Sequence, residues 1–236
     1  MPETNSAAQM TITRRQTSNV TVFKRTAPEA VTYDFSRSDS VMITVPVAST
    51  WTSGPHWHET HTEFLQILQG RAFVKLGDRS GVYGAGDGVI EVPRYTVHEW
   101  RRIVGDDDQG DLMVREWTIP EDGEKEGFFR MLNSFLTEPH PSSLYQAPSM
   151  TPEWIRTQIE HWIVMLQLFC IFHSWDNWPV LIGEDSGWLS WAVTHLVLRV
   201  STAIGFMLGL RGTYGAYVSD ELMSKATREN GTRKAR

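Results

Sequence analysis

At 236 residues the chain is long enough for one sizeable domain with an appendage. Its formal net charge of −6, without a basic face that interleaves aromatic residues, argues against a nucleic-acid-binding protein. A single cysteine, Cys170, excludes an intrachain disulfide framework, and residues 1–5 show no apolar signal region. We therefore expect a cytoplasmic protein.

Short strands dominate the first half of the sequence. Residues 1–18 are polar and predict a flexible arm, whereas residues 19–120 contain short β-branched and aromatic segments separated by turn residues. The predicted strands are 20–23, 31–33, 41–45, 64–68, 72–76, 89–92, 98–104 and 112–119. Many short strands with glycine-rich turns and little helical pattern predict an antiparallel sandwich or barrel.

Four residues within this region have the character of metal ligands. His56 and His58 are two apart, so they point to one face of a strand, and Glu63 follows nearby. A third imidazole, His98, would come from another strand. This mixed nitrogen and oxygen set suits Fe, Mn, Ni, Co, Cu or Zn without choosing among them. Incidental polar strand residues, or a metal site without catalysis, are the alternative interpretations.

The spacing of these residues carries a family resemblance. The pattern His-x-His-x4-Glu-x6-Gly at residues 56–70 resembles the first cupin motif, and Gly-Asp-x5-Pro-x4-His at residues 86–98 resembles the second. Residues 76–81 between them correspond to the short hairpin connection of cupins. Tyr95 stands where the second motif usually has glycine, and Arg102 where it often has asparagine. The resemblance covers roughly residues 20–117 and removes none of the four ligands.

This resemblance implies a fold and an activity. The fold would be a mainly β, jelly-roll-like cupin barrel of two antiparallel sheets, here with an α-helical C-terminal extension. The resemblance assigns metal binding and catalysis to the same residues, namely His56, His58, Glu63 and His98. The chain is similar to fungal single-domain cupin oxidoreductases of polyketide and salicylaldehyde-type secondary metabolism. That likeness implies a metal-dependent oxidoreductase acting on a small aromatic or polyketide-derived molecule. A metal-assisted isomerase, cyclase or decarboxylase and a non-catalytic small-molecule-binding protein remain alternatives.

Residues beside the predicted ligands are candidates for substrate binding. Arg94, Tyr95 and Trp100 flank His98 and could line a cavity, and the Arg94 guanidinium suits a substrate carboxylate. A surface charge is the alternative interpretation for Arg94. His61 lies between His58 and Glu63 and could replace a ligand, but the cupin pattern skips it. We expect His61 to support the site from outside or to lie on the surface.

The character of the sequence changes after residue 120. Residues 121–149 predict a helix at 124–136 followed by a linker, residues 150–215 an apolar helical pair, and residues 216–236 a polar tail. Residues 161–175 contain no Asp, Glu, Lys or Arg, and residues 188–210 contain a single charge, Arg199. The pair could pack on the barrel, form a homodimer interface, or associate with a membrane through 188–210, with the basic tail cytoplasmic.

Overall fold

The computed structural model describes residues 14–103, 110–138, 150–183 and 187–233. Their strands are β1 (Val22–Arg25), β2 (Val31–Asp34), β3 (Val41–Val45), β4 (His56–Trp57), β5 (Thr62–Gln69), β6 (Arg71–Leu76), β7 (Arg79–Gly84), β8 (Val89–Val92), β9 (His98–Arg102), β10 (Leu112–Ile119) and β11 (Trp178–Pro179). Their helices are α1 (Glu124–Leu136), α2 (Glu153–Ser174), α3 (Trp188–Met207) and α4 (Asp220–Arg233).

The strands form two antiparallel sheets that enclose an apolar core. One sheet has the order β1-β2-β3-β10-β5-β8 and the other β11-β4-β9-β6-β7. Alternate residues of β3, namely Val41, Ile43 and Val45, are buried, as the two-residue period of a strand with one face on the core requires. The predicted two-sheet cupin barrel with a helical C-terminal region is confirmed.

The hairpin at 76–81 is tighter than the sequence predicts. Leu76 pairs with Arg79, so the turn consists of two residues, and Gly77 takes a positive φ of 56°. Residues 79–84 are not a connection but strand β7. This strand was missed because it lies at the sheet edge, where no alternating apolar pattern is needed.

The described residues of both end segments contact the rest of the protein. Thr17, within the predicted arm, is buried, its backbone N–H donates to the Ala216 carbonyl at 2.8 Å, and its hydroxyl contacts that of Ser134. The predicted polar tail contains the buried Tyr217 and helix α4. Residues 1–13 of the arm and 139–149 of the linker lie outside the described residues.

Helices α1, α2 and α3 are layered beside the barrel. Helix α1 has the predicted bounds and packs against α2, which in turn packs against α3. The short strand β11 between α2 and α3 pairs with β4, placing Trp178 opposite Trp57 and Pro179 opposite His56. The helical pair is therefore joined to the barrel beside the first predicted metal ligand.

Candidate metal centre and adjoining cavity

The barrel brings the four predicted ligands to one place. His56 on β4 and His98 on β9 are directly opposite in an antiparallel pair, and His58 follows β4. Glu63 reaches them from β5 in the other sheet, because its side chain points into the barrel. All four side chains are buried, and their ligand atoms lie within 4.8 Å of one another.

Backbone carbonyls orient the three imidazole rings. The Nδ1 atom of His56 lies 2.8 Å from the Gly54 carbonyl oxygen, that of His58 lies 2.6 Å from the Asp176 oxygen, and that of His98 lies 3.0 Å from the Thr96 oxygen. A carbonyl only accepts hydrogen bonds, so each Nδ1 carries the proton and donates it. Each Nε2 therefore presents a lone pair, which is the arrangement that metal-binding histidines require.

The electrostatics around Glu63 fit a bound cation. Its Oε2 lies 2.8 Å from His58 Nε2, and its Oε1 lies 3.3 Å from His98 Nε2. Among the described residues, Glu63 Oε1 and His98 Nε2 are buried atoms without a hydrogen-bond partner. Burial lowers the pKa of His58, and burial and the neighbouring rings lower that of His56 well below its usual range. The imidazole lone pairs and the Glu63 carboxylate repel each other unless a cation lies between them. This set of donor atoms therefore fits a bound metal ion.

A lysine and a second glutamate adjoin the four ligands. The Lys125 ammonium on α1 donates to Glu63 Oε2 and also contacts the Glu116 carboxylate on β10. Burial alone would raise the pKa of Glu63, but the charge of Lys125 holds it well below its usual range. Burial and the Glu63 charge raise the pKa of Glu116 to about 7. Burial opposes the charge on Lys125, yet the two carboxylates raise its pKa to about 12. The site thus contains a buried acid–base pair beside the ligands.

Sequence reasoning missed both residues, although each breaks a pattern. Glu116 shares the inward face of β10 with Leu112 and Val114, where an apolar residue is expected. Lys125 lies three and four residues before Phe128 and Phe129, on the apolar side of α1. A charge at an inward position of an otherwise regular pattern was the signal that could have found them.

An apolar cavity of about 430 Å³ borders the site. His56, Glu116 and Lys125 contribute polar groups to its wall. Its remaining wall comes from the barrel and from α1 and α2, and is mainly aromatic and aliphatic; it includes Tyr33, Ile43, Trp51, Phe128, Phe129, Leu132, Leu168 and Phe172. A cavity with few convergent polar groups on apolar walls is typical of a small-molecule site.

One cationic side chain lies in this cavity away from the ligands. Arg25 on β1 lines the wall and donates from Nη2 to the Tyr33 hydroxyl at 3.0 Å. Its Nε is buried and has no hydrogen-bond partner among the described residues. Because Arg25 lines the cavity, its guanidinium places a positive charge there, which suits a carboxylate or phenolate oxygen.

Comparison with known proteins identifies the barrel. Residues 42–112 match the cupin domain family. The barrel is a cupin domain. Among curated proteins, no sequence matches the chain significantly.

Three solved structures with a similar fold show low sequence identity to this chain. The capsular polysaccharide assembling protein CapF from Staphylococcus aureus has 16% identity over 41% of this chain and 30% of its own, with a TM-score of 0.32. KdgF from Halomonas sp. has 18% identity over 41% of this chain and 84% of its own, with a TM-score of 0.32. L-ribose isomerase from Cellulomonas parahominis has 16% identity over 34% of this chain and 49% of its own, with a TM-score of 0.29. The chain thus spans less than a third of CapF and about half of the isomerase.

The substrate-binding residues predicted from the second cupin motif lie elsewhere. Arg94 and Tyr95 are exposed, and neither lines the cavity beside His56. Trp100 is buried and packs edge-on against Trp51, which does line it. Tyr95 has a φ of 62°, which explains why cupins usually have glycine at this position. The roles assigned to these three residues remain predictions.

His61 is buried outside the four-ligand cluster. Its Nδ1 lies 3.0 Å from Asp176 Oδ2, and its Nε2 lies 3.0 Å from Asp122 Oδ2 and 3.6 Å from Glu124 Oε2. Burial alone would lower the pKa of His61, but hydrogen bonds with Asp122 and Asp176 raise it to about 9. His61 is therefore an imidazolium that joins the barrel to the start of α1 and the end of α2.

Proposed function

We propose that this cupin is a metal-dependent oxidoreductase that acts on a small aromatic or polyketide-derived molecule. The observation that carries the proposal is the buried set of three imidazoles and one carboxylate, which reaches an apolar cavity through His56. The polyketide-type substrate class comes from the family resemblance of the motifs. Four protein ligands leave positions open on a six-coordinate ion, and open positions are what catalytic sites require.

Four residues would bind the metal, and a fifth would orient one of these ligands. His56, His58 and His98, through Nε2, and Glu63, through Oε1, would hold a divalent transition metal. The metal would supply Lewis-acid or one-electron chemistry next to the cavity. Lys125 holds the second oxygen of Glu63, which fixes the carboxylate in one orientation.

The cavity supports an aromatic substrate with an acidic group. Trp51, Phe129 and Phe172 offer flat apolar surfaces for an aromatic ring. Arg25 places a guanidinium on the cavity wall, and this planar cation suits a carboxylate or phenolate. A ring bound between these groups would lie within the same cavity as His56.

A second candidate is a metal-assisted isomerase, cyclase or decarboxylase. Glu116 and Lys125 favour it, because a carboxyl and an ammonium that contact each other line the same cavity. Such a pair can accept and return a proton at a substrate carbon without a change of oxidation state. This activity would use the same metal and the same cavity.

One assay separates the candidates. Protein loaded separately with Fe(II), Mn(II), Ni(II), Cu(II) or Zn(II) is mixed with a panel of phenolic acids and aldehydes, and oxygen uptake and product mass are followed. Product formation coupled to oxygen uptake supports the oxidoreductase. A product formed equally without oxygen supports the second candidate and overturns the first. Binding without turnover, in every metal form, would identify a binding protein. Metabolite profiling of a deletion strain supplies the natural substrate for the same assay.

A further inference from the structure

Helix α3 has its polarity reversed relative to a helix that covers a protein core. Its buried residues are mostly small or polar, namely Ser190, Thr194, His195, Leu198, Ser201 and Gly205. Most of its exposed residues are large and apolar; we call Trp188, Leu189, Trp191, Leu196, Val200, Ile204, Phe206 and Met207 the outer face of α3. A helix on a water-soluble protein normally turns its apolar stripe inward.

Reversed polarity is the arrangement found where lipid replaces water. Helices in lipid meet through small residues that permit close approach, and they turn aliphatic residues outward. Gly205 shows such an approach, because a Cβ at this position would lie 2.6 Å from Cys170 Sγ on α2. The inner face thus packs closely with few large apolar side chains, and the large apolar side chains of the outer face are exposed.

The distribution of side chains on the outer face also favours lipid over a second protein. Leu196, Val200 and Ile204 occupy its middle, and Trp188, Trp191 and Phe206 lie nearer its ends. Helices that lie in a lipid interface carry Trp, Phe and Leu on their apolar face, whereas protein interfaces concentrate aromatic residues centrally. Arg199 is exposed and is the only Asp, Glu, Lys or Arg in α3, so its charge complements an anionic lipid surface.

The contacts of α3 indicate how it would meet the lipid. By length and composition α3 is suited to cross a membrane, and only a third of its most apolar window is buried. However, Thr194 donates to the Pro179 carbonyl at 3.0 Å and His195 lies 3.2 Å from Glu59, while Cys170 contacts Ser201. The inner face therefore touches the rest of the protein through residues in the middle of the helix. Only one side is available to lipid, which suits a helix lying along a surface.

We propose that the outer face of α3 binds the surface of an anionic lipid bilayer, with the helix axis parallel to the membrane plane. The barrel would then remain in water beside the membrane. The proposal rests on α3 and does not depend on the metal or on the reaction.

Co-sedimentation of the full chain with vesicles tests the proposal. The vesicles are pure phosphatidylcholine, or phosphatidylcholine with about 30% phosphatidylserine. Wild-type protein should sediment with the anionic vesicles. Replacing both Leu196 and Val200 by Gln should weaken that binding by at least about tenfold, because two apolar side chains leave the lipid. Arg199→Gln should weaken binding by about fivefold to the anionic vesicles alone.

A matched double variant controls for general surface polarity. Leu196 and Val200 are 63% and 48% exposed, and Val47 and Val89 on the barrel are 49% and 50% exposed. Val47→Gln with Val89→Gln should bind like wild type. Equal loss in both double variants, or no vesicle binding by wild type, would overturn the proposal. So would a wild-type dimer without vesicle binding that the α3 variant makes monomeric, because a second copy would then cover the face. Retention in membranes after alkaline carbonate would show a spanning helix and would also overturn it.

Discussion

The barrel and the α2–α3 pair bury opposite kinds of residue. Inward positions of the barrel strands are mostly apolar, as Ile43, Leu65 and Val114 illustrate, and the outward positions mix polar and apolar residues. In α3 the inward positions are mainly small or polar, such as Thr194 and Ser201, and the outward ones are apolar. The two regions therefore follow different packing rules, and the pairing of β4 with β11 joins them.

The difference changes what an exceptional residue means. In the barrel, a polar group at an inward position such as Glu63, His98 or Glu116 departs from the rule, and each of these lies at the candidate metal centre. In α3, most positions depart from that rule, so no single residue marks a site. The exposure of apolar residues along the whole outer face therefore indicates what surrounds the helix, and it does not indicate a ligand site on α3.

The largest expected effect is the loss of metal from the barrel when a ligand is removed. Wild-type protein should contain about one transition metal ion per chain, and His58→Ala or Glu63→Ala should lower this at least about tenfold. Each change removes one of four ligands from a cluster that already contains unpartnered atoms. Elemental analysis of purified, metal-loaded protein provides the measurement.

Exposed residues of the same type give the controls for this experiment. His161→Ala on α2 and Glu91→Ala on β8 should retain full occupancy, because both side chains are exposed. A wild-type protein that stays empty after metal loading would remove the metal from the proposed function. The barrel's polar inward residues would then need an explanation other than metal binding.

The barrel and its four ligands could be predicted because their pattern is local. Strand alternation has a period of two residues, and the motif spacings place the histidines relative to the turns. Lys125 reaches Glu63 from 62 residues along the chain, and the Asp176 carbonyl reaches His58 from 118 residues away. Such partners depend on how helices pack on the barrel, which no local pattern specifies. The sequence did not decide what covers the apolar stripe of α3 for a related reason. The stripe predicts burial, but it does not show whether the barrel, a second subunit or lipid buries it.

The next largest effect concerns the junction between the two regions. His61→Gln should lower the free energy of unfolding by about 3 kcal/mol, because it removes a buried cation from between Asp122 and Asp176. Wild type and the His61→Gln variant, both metal-loaded, should be compared by urea denaturation. His161→Gln, an exposed histidine on α2, should change the stability little. An unchanged unfolding midpoint for His61→Gln would mean that the two regions are held together by other contacts.

The stability difference between wild type and His61→Gln should also depend on pH. The pKa of His61 is raised to about 9 in the folded protein, above the usual value near 6.5. A raised pKa stabilises the fold fully below about pH 6.5, and this contribution is lost as the pH rises through about 9. The stability difference between wild type and His61→Gln should therefore be largest near pH 6 and should decrease towards about pH 10. A difference that grows with pH would contradict an imidazolium at this position.

A smaller effect is expected from Arg25 at the cavity wall, where the barrel faces α1 and α2. If the proposed substrate class is correct, Arg25→Gln should raise the Kd of a phenolic carboxylate by about tenfold, since a charged hydrogen bond is lost. Isothermal calorimetry with metal-loaded protein measures it. Lys24→Gln, an exposed neighbour on the same strand, provides the control. Equal affinities for the two variants would remove Arg25 from the substrate site.

The smallest effect tests the close packing inside the helical pair. Gly205→Ala gains helix propensity worth about 1 kcal/mol, but the new Cβ would lie 2.6 Å from Cys170 Sγ and 3.4 Å from Leu210 Cβ. Overpacking of this kind costs more than the gain, so we expect a net destabilisation of about 1 kcal/mol by thermal unfolding. Cys170→Ala in the same chain removes the sulfur and should restore the lost stability, whereas Gly187→Ala should be neutral because no atom lies within 4 Å of its added Cβ. Because the inner face of α3 has few large apolar side chains, close approach is its main source of packing energy. A Gly205→Ala protein as stable as wild type would therefore show that α3 packs only loosely on α2. The small residues of its inner face would then no longer indicate a close-packed contact between the two helices.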